Sequence, residues 1–222
     1  MPFQYLEMAI DREQEEAAAK GKEYHSRARW WLHRRPGSEM RAALVPLQRC
    51  IITPRHSKFR LFAWLSLETL PDNALYVFAR DDDYFLGVLH SRIHEVWARA
   101  QGTQVREVES GFRYTPTSTF ETFPFPWPPG SEPKNSPLVK AIAKAACELV
   151  AKRDAWLNPP DASAEELKAR TLTNLYNARP AWLVDVHRKL DEAVFAAYGW
   201  PATLSDAELL ERLLKLNHER AA

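Results

Sequence analysis

The sequence predicts an α+β fold, a small mixed α/β module followed by an all-α helical bundle. Three observations carry this: short β-rich runs and one helical run fill residues 30–130, a proline-dense stretch interrupts the chain near residue 130, and from residue 138 onward apolar residues recur only at helical spacing. A chain of 222 residues with 45% hydrophobic content can bury one large core or two small ones. The divisions read from these signals are a polar, helical lead-in over 1–29, the mixed module over 30–130, a proline-rich linker over 131–137 and a helical domain over 138–222.

Within the mixed module, Gln48 to Thr53, Phe59 to Leu67 and Ala74 to Phe78 are rich in β-branched and aromatic residues. Turn residues such as Pro71-Asp-Asn73 separate them, so they predict a small sheet. Asp83 to Ala100 places Leu86, Leu89, Ile93 and Trp97 on one helical face, with acids at its start and Gly102 as a stop. This predicts one helix packed on the sheet. Val105 to Val108, Phe112 to Thr115 and Thr119 to Phe123 read as further strands. Phe123-Pro-Phe-Pro-Trp-Pro-Pro-Gly130 and Ser131-Glu-Pro-Lys-Asn-Ser-Pro137 follow. Proline blocks both helix and ladder, so an extended strap is expected there.

After the strap, Leu138, Ile142, Ala145, Leu149 and Trp156 form one apolar stripe, and Leu183, Val186, Leu190, Val194 and Ala197 another, opened by Pro180 and closed by Gly199. Ser163 with Glu166 and Ser205 with Glu208 are capping boxes. A bundle of about four helices results.

Composition narrows the function classes. No apolar run approaches the ~20 residues of a membrane span, and Met1 to Ala19 is acidic and polar, unlike a secretory signal. A cytoplasmic location is expected. Cys50 and Cys147 are far apart in apolar stretches and read as buried thiols, neither a disulfide framework nor a zinc site. The net charge of +1 conceals an uneven distribution: residues 21 to 70 hold ten Lys or Arg (22, 27, 29, 34, 35, 41, 49, 55, 58 and 60) against three acids. Interleaved with Trp30, Trp31, Phe59, Phe62 and Trp64, they fit a surface following a phosphate backbone. They equally fit solvated arginines over an aromatic core.

Reactive constellations are scarce. None of the seven glycines forms a G-x-G, which argues against a nucleotide or S-adenosylmethionine site in this chain. Asn158-Pro-Pro160 reads as a helix-ending turn because Asp161 follows where an adenine-holding motif has an aromatic residue. Asp81-Asp-Asp83 reads as a helix cap rather than a cation site. His90 and His94 fall four apart without further zinc ligands, and His187 reads as a core histidine. A nuclease site from Asp72, Glu132 and Lys134 fails because the last two lie in the proline strap. No catalytic, cofactor-binding or metal-ligating residues are assigned.

Two stretches carry a resemblance. Asp81 to Trp97, with Arg113-Tyr-Thr115 and Thr119-Phe-Glu-Thr-Phe-Pro-Phe-Pro126, resembles the target-recognition domain of the MmeI-like family of fused restriction-modification proteins and related methyltransferases. Thr171 to Trp182, with His187, Leu190 to Val194 and Ala197 to Pro201, is similar to that family's C-terminal helical region. The resemblance covers roughly residues 30 to 222. It implies recognition of double-stranded DNA for an adenine-N6 DNA methyltransferase, with S-adenosylmethionine held by a catalytic domain, in cis or trans, that this chain lacks. Phosphate contacts then fall to Lys58 and Arg60. Base contacts fall to Arg92, Glu95 and Arg99 on the helix and to Arg106, Ser110, Arg113 and Thr115 beyond it, since Arg pairs guanine and Glu accepts from cytosine. The alternative is a protein–protein interaction scaffold of a DNA-modification or phage-defence complex, binding through the strap and exposed tryptophans.

Overall fold

In a computed structural model of the chain, residues 2–20, 37–104 and 111–221 are described. They fall into two compact units, Met1–Pro46 and Leu47–Ala222. The first holds α1 (Pro2–Ala18), with an exposed Arg12–Glu16 pair one turn apart, and α2 (Ser38–Leu44).

The second unit begins with β1 (Arg49–Pro54), β2 (His56–Ser57), β3 (Ala63–Ser66) and β4 (Leu75–Phe78). β1 is the centre of an antiparallel sheet ordered β3-β1-β4, pairing Ile51 with both Trp64 and Phe78. Its register buries Ile51 in the common core and, on the same side, Thr53, whose hydroxyl donates to Leu61 O at 2.8 Å. The strand expected over Phe59 to Leu67 starts only at Ala63, and the reason lies in Phe62. Its N–H donates to His90 Nδ1 at 3.1 Å and its carbonyl accepts from Arg153 at 3.1 Å, so side chains take the groups a ladder needs.

The helix expected over Asp83 to Ala100 is two helices, α3 (Asp83–His90) and α4 (Arg92–Gln101). Asp82 caps α3 by accepting from Phe85 N, the capping role expected of this acidic run. Ser91 makes the break. With φ −77° and ψ 158° it leaves the helical region, closes α3 by donating to Val88 O at 2.7 Å, and caps α4 by accepting from His94 N. Then come β5 (Thr103–Gln104), β6 (Phe112–Arg113) and the short α5 (Pro116–Thr119). β2, β6 and β5 make a second small antiparallel sheet in that order. The strand expected over Thr119 to Phe123 is instead the end of α5 and a turn. Pro116 opens the helix, and the Thr119 hydroxyl donates back to Thr115 O at 2.8 Å. The strand expected over Val105 to Val108 lies outside the described residues.

The strap does not separate two cores. Phe123 and Phe125 are buried, with Phe125 stacked on Phe85 at 5.0 Å and Phe123 edge-on to His94 at 4.8 Å. Its carbonyls accept from the tail: Tyr198 bonds Pro124 O, Asn217 bonds Thr122 O and Arg220 reaches Phe125 O and Pro126 O. Beyond it stand α6 (Pro137–Leu157), α7 (Ala164–Ala169), α8 (Leu172–Ala178), α9 (Ala181–Tyr198) and α10 (Asp206–Ala221), one helix more than expected. α3 packs against both α6 and α9, and one hydrophobic core runs from Ile51 through Phe125 to Leu213. The stripe on α9 is as expected except that Phe195 replaces Ala197 in the buried set. On α6 the buried row is Val139, Ile142, Ala146, Leu149 and Arg153, so Leu138 faces outward. Both capping boxes form, and Asn158 ends α6. Cys50 is buried, but Cys147, expected inside, lies on the exposed face of α6.

Candidate nucleic-acid interface

Positive charge near the small β2-β6-β5 sheet and α4 divides into cations spent on the protein and cations left for a ligand. Arg60 belongs to the first kind. It is 7% exposed, and its guanidinium donates to Thr53 Oγ1 (3.0 Å), Pro54 O (2.5 Å) and Phe112 O (2.9 Å), tying β1 to β6. The guanidinium carbon lies 4.9 Å from the Tyr114 ring centroid. Burial lowers its pKa to about 10, so it stays charged. The phosphate role expected of Arg60 is therefore replaced by a structural one. Arg49 is spent likewise on Asp81 O and Asp83, stacked 3.7 Å over Trp64, and Arg55 on Asn73 O. Lys22, Arg27, Arg29, Trp30, Trp31, Arg34 and Arg35 of the basic segment lie outside the described residues.

Arg92, expected at a base edge, faces the tail. Its guanidinium bonds Asp206 Oδ1 (2.5 and 3.0 Å) and Leu204 O (2.9 Å). Glu95 and Arg99 sit one turn apart on the open side of α4, joined at 2.6 Å and each about half exposed. Such a pair is worth little in water and can be exchanged for base contacts. Lys58 is exposed, with Nζ 2.8 Å from Asn177 Oδ1, a neutral partner that leaves its charge uncompensated. Arg113 is exposed on β6, the middle strand of the small sheet, opposite His56 on one side and Thr103 on the other. Its guanidinium makes no hydrogen bond or ion pair with the described residues. Thr115 is half-buried at the start of α5, its carbonyl taken by Ser118 and Thr119. Arg106 and Ser110 lie outside the described residues.

Lys58, Glu95, Arg99 and Arg113 thus remain candidate DNA contacts. Two glycines anchor the β5–β6 connection beside them. Gly111 has φ 82°, and a Cβ there would meet Ser57 C at 2.5 Å; one at Gly102 would meet Phe112 Cζ at 2.0 Å.

Sequence reasoning missed a cleft of about 340 Å³ beside α4, where Phe59, Tyr176, Arg179 and Asp191 join Glu95 and Arg99. The signal for Arg179 was its place before Pro180 at the end of α8, where it adopts a left-handed φ of 44°. On the cleft floor the Phe62 N–H fixes His90 Nδ1 as acceptor, so Nε2–H donates to Tyr176 Oη (3.1 Å), which donates to His187 Nε2 (2.9 Å). Burial, then the nearby Arg153 charge, holds both rings neutral, with His187 lowered to about 4. The directed chain orders the α3–α8–α9 seam.

The two motifs that looked like signatures are mostly core. Tyr114 is fully buried, its hydroxyl 3.1 Å from His94 Nε2, and Phe123 and Phe125 are in the strap's buried turn. Among the described residues no group of His, Cys, Asp or Glu can hold a metal, and no helix is long and apolar enough to cross a membrane.

The family model for the MmeI target recognition domain matches residues 11–127, through the β1-centred sheet, α3, α4, the small sheet and the first residues of the strap. The chain belongs to the MmeI target recognition domain family. Over 154 residues it is 32% identical to DNA methyltransferase A of Bacillus subtilis (strain 168), across 68% of this chain and 15% of that protein. Its fold is similar to part of the Type IIL restriction-modification enzyme MmeI solved in complex with DNA, with a TM-score of 0.61 and 24% identity, over 78% of this chain and 21% of that one. The chain therefore spans under a quarter of each. That likeness extends past residue 127, since 78% coverage requires part of the tail, as the shared core does here.

Proposed function

We propose that this target recognition domain reads a short sequence in double-stranded DNA for an adenine-N6 methyltransferase whose catalytic domain, in cis or trans, binds S-adenosylmethionine, and that it works in the cytoplasm. The carrying observation is the family match over residues 11–127, a span that includes Lys58, Glu95, Arg99 and Arg113. Lys58 and Arg113 suit phosphate, being exposed cations without a carboxylate partner among the described residues. Arg99 and Glu95 suit base edges, since a solvent-exposed pair on a helix can open to meet guanine and cytosine. No observation favours the scaffold reading: among the described residues no tryptophan is an exposed large hydrophobic, and the strap's phenylalanines face the core.

The test is enrichment of a random duplex library by the purified chain at two salt concentrations. A short motif of about six base pairs, with affinity falling steeply as salt rises, is the expected result. No binding at either salt counts against autonomous recognition.

A further inference from the structure

We propose that Asp191 and Asp206, carboxylates of the helical tail, are positioning residues that set the placement of α4 on DNA. The inference rests on the DNA reading above. Ser91 severs α4 from α3, so the direction of α4 is not inherited from the buried helix before it. Ile93, Trp97 and Ala98 seat α4 in the core, and two attachments from the tail fix its first turn. Asp191 of α9 accepts from the backbone N–H of Arg92, the first residue of α4, at 2.8 Å. The Arg92 side chain then reaches Asp206 Oδ1 and Leu204 O at the start of α10. Residues about a hundred positions later in sequence thus hold one end of the helix whose open side carries Glu95 and Arg99.

Chemistry sets this attachment apart from ordinary capping. Ser91 already caps α4, and a serine or asparagine serves a helix N-terminus without burying a charge. Asp191 is half-buried, and the loss of water around it raises its pKa to about 6. The protein therefore keeps a costly group where a cheaper one would satisfy the helix. The benefit is angular. Arg99 stands seven residues beyond Arg92, about 10 Å along the axis, and a bidentate base contact tolerates displacement of only about 0.5 Å. A tilt of about 3° at the clamp consumes that tolerance.

Asp206 gives the clean test, because its side chain is 70% exposed and its removal leaves the core intact. The full chain and the variants Asp206→Ala, Asp191→Ala, Asp191→Asn and Arg99→Ala are each enriched against the same random duplex library, with melting temperatures measured in parallel. Asp206→Ala and Asp191→Ala are expected to bind a scrambled duplex within about twofold of wild type, since phosphate contacts are untouched. They should lose about tenfold discrimination at the base pairs whose preference Arg99→Ala also erases. Asp191→Asn, which keeps an oxygen for the Arg92 amide, should recover most of it. Unchanged discrimination in both alanine variants overturns the proposal. So does a loss that merely follows melting temperature, or equal losses in Asp191→Asn and Asp191→Ala. A wild-type chain that selects no motif overturns autonomous DNA recognition and the positioning role together, an outcome told apart by the wild-type arm alone.

Discussion

The seam joining α3 and α4 to the tail and the small β2-β6-β5 sheet both carry many polar groups, and they use them in opposite ways. In the seam, His90, Tyr176, His187, Asp191 and Arg92 bond mainly to one another, to the backbone or to Asp206, so their polar groups hold elements together. At the small sheet, Arg60 is buried and spent, while Lys58, Arg99 and Arg113 keep their charge at the surface. A cation's meaning in this domain follows from what surrounds it, since Arg60 and Lys58 stand two residues apart, the one buried and the other exposed.

The sharpest way to break the comparison is acid. Burial holds His90, His94 and His187 neutral, with His94 lowered to about 3 and His187 to about 4, against 6.5 for a free ring. The unfolded chain therefore binds more protons below pH 6.5. Stability is full above that pH and should fall toward pH 4 by about 1.4 kcal/mol per unit for each ring. Asp191, raised to about 6, has the opposite sign and offsets one ring's share between pH 6 and 4. Urea unfolding at successive pH values checks this, and a flat profile would mean the seam is solvated.

Next in size is Arg60→Ala. Pro54 O and Phe112 O lose their shared donor, and a loss of about 2–4 kcal/mol is expected in urea unfolding. Weakened DNA binding with unchanged stability would instead return Arg60 to the ligand-facing side. Gly87→Ala in α3 sharpens the seam. Its Cβ would meet Ile142 Cγ2 at 2.7 Å and Leu190 Cδ1 at 3.2 Å, and overpacking of about 1–3 kcal/mol exceeds the roughly 1 kcal/mol gained in helix propensity. Thermal melting should show a net loss. Smallest in stability are Lys58→Ala and Arg113→Ala, expected to shift unfolding by under about 0.5 kcal/mol. Each should lower the salt dependence of DNA binding by about one counterion.

Local signals were legible in the sequence. The Ser163 and Ser205 capping boxes, the α9 stripe and the β1 and β4 runs depend on neighbours within a few positions, and the structure forms them close to where they were read, with Phe195 in place of Ala197 on α9. The division of α3 from α4 was also local: Ser91 is a good cap, but continuous apolar spacing from Leu86 to Trp97 outweighed it. What was not legible required distant partners. Arg60 meets Phe112, Arg92 meets Asp206 and the strap's carbonyls meet α9 and α10, and no spacing rule reports contacts between residues 52 to 114 positions apart. The strap was legible as extended backbone, but not the burial of Phe123 and Phe125 within it, because proline announces extension and not what covers it.

Gly102 and Gly111 forbid side chains where the chain enters and leaves the β5–β6 connection, one against Phe112 and the other against Ser57. Backbone alone fits at these two places, so the spacing of β6 from the end of α4 on one side and from β2 on the other is set by what the two residues lack.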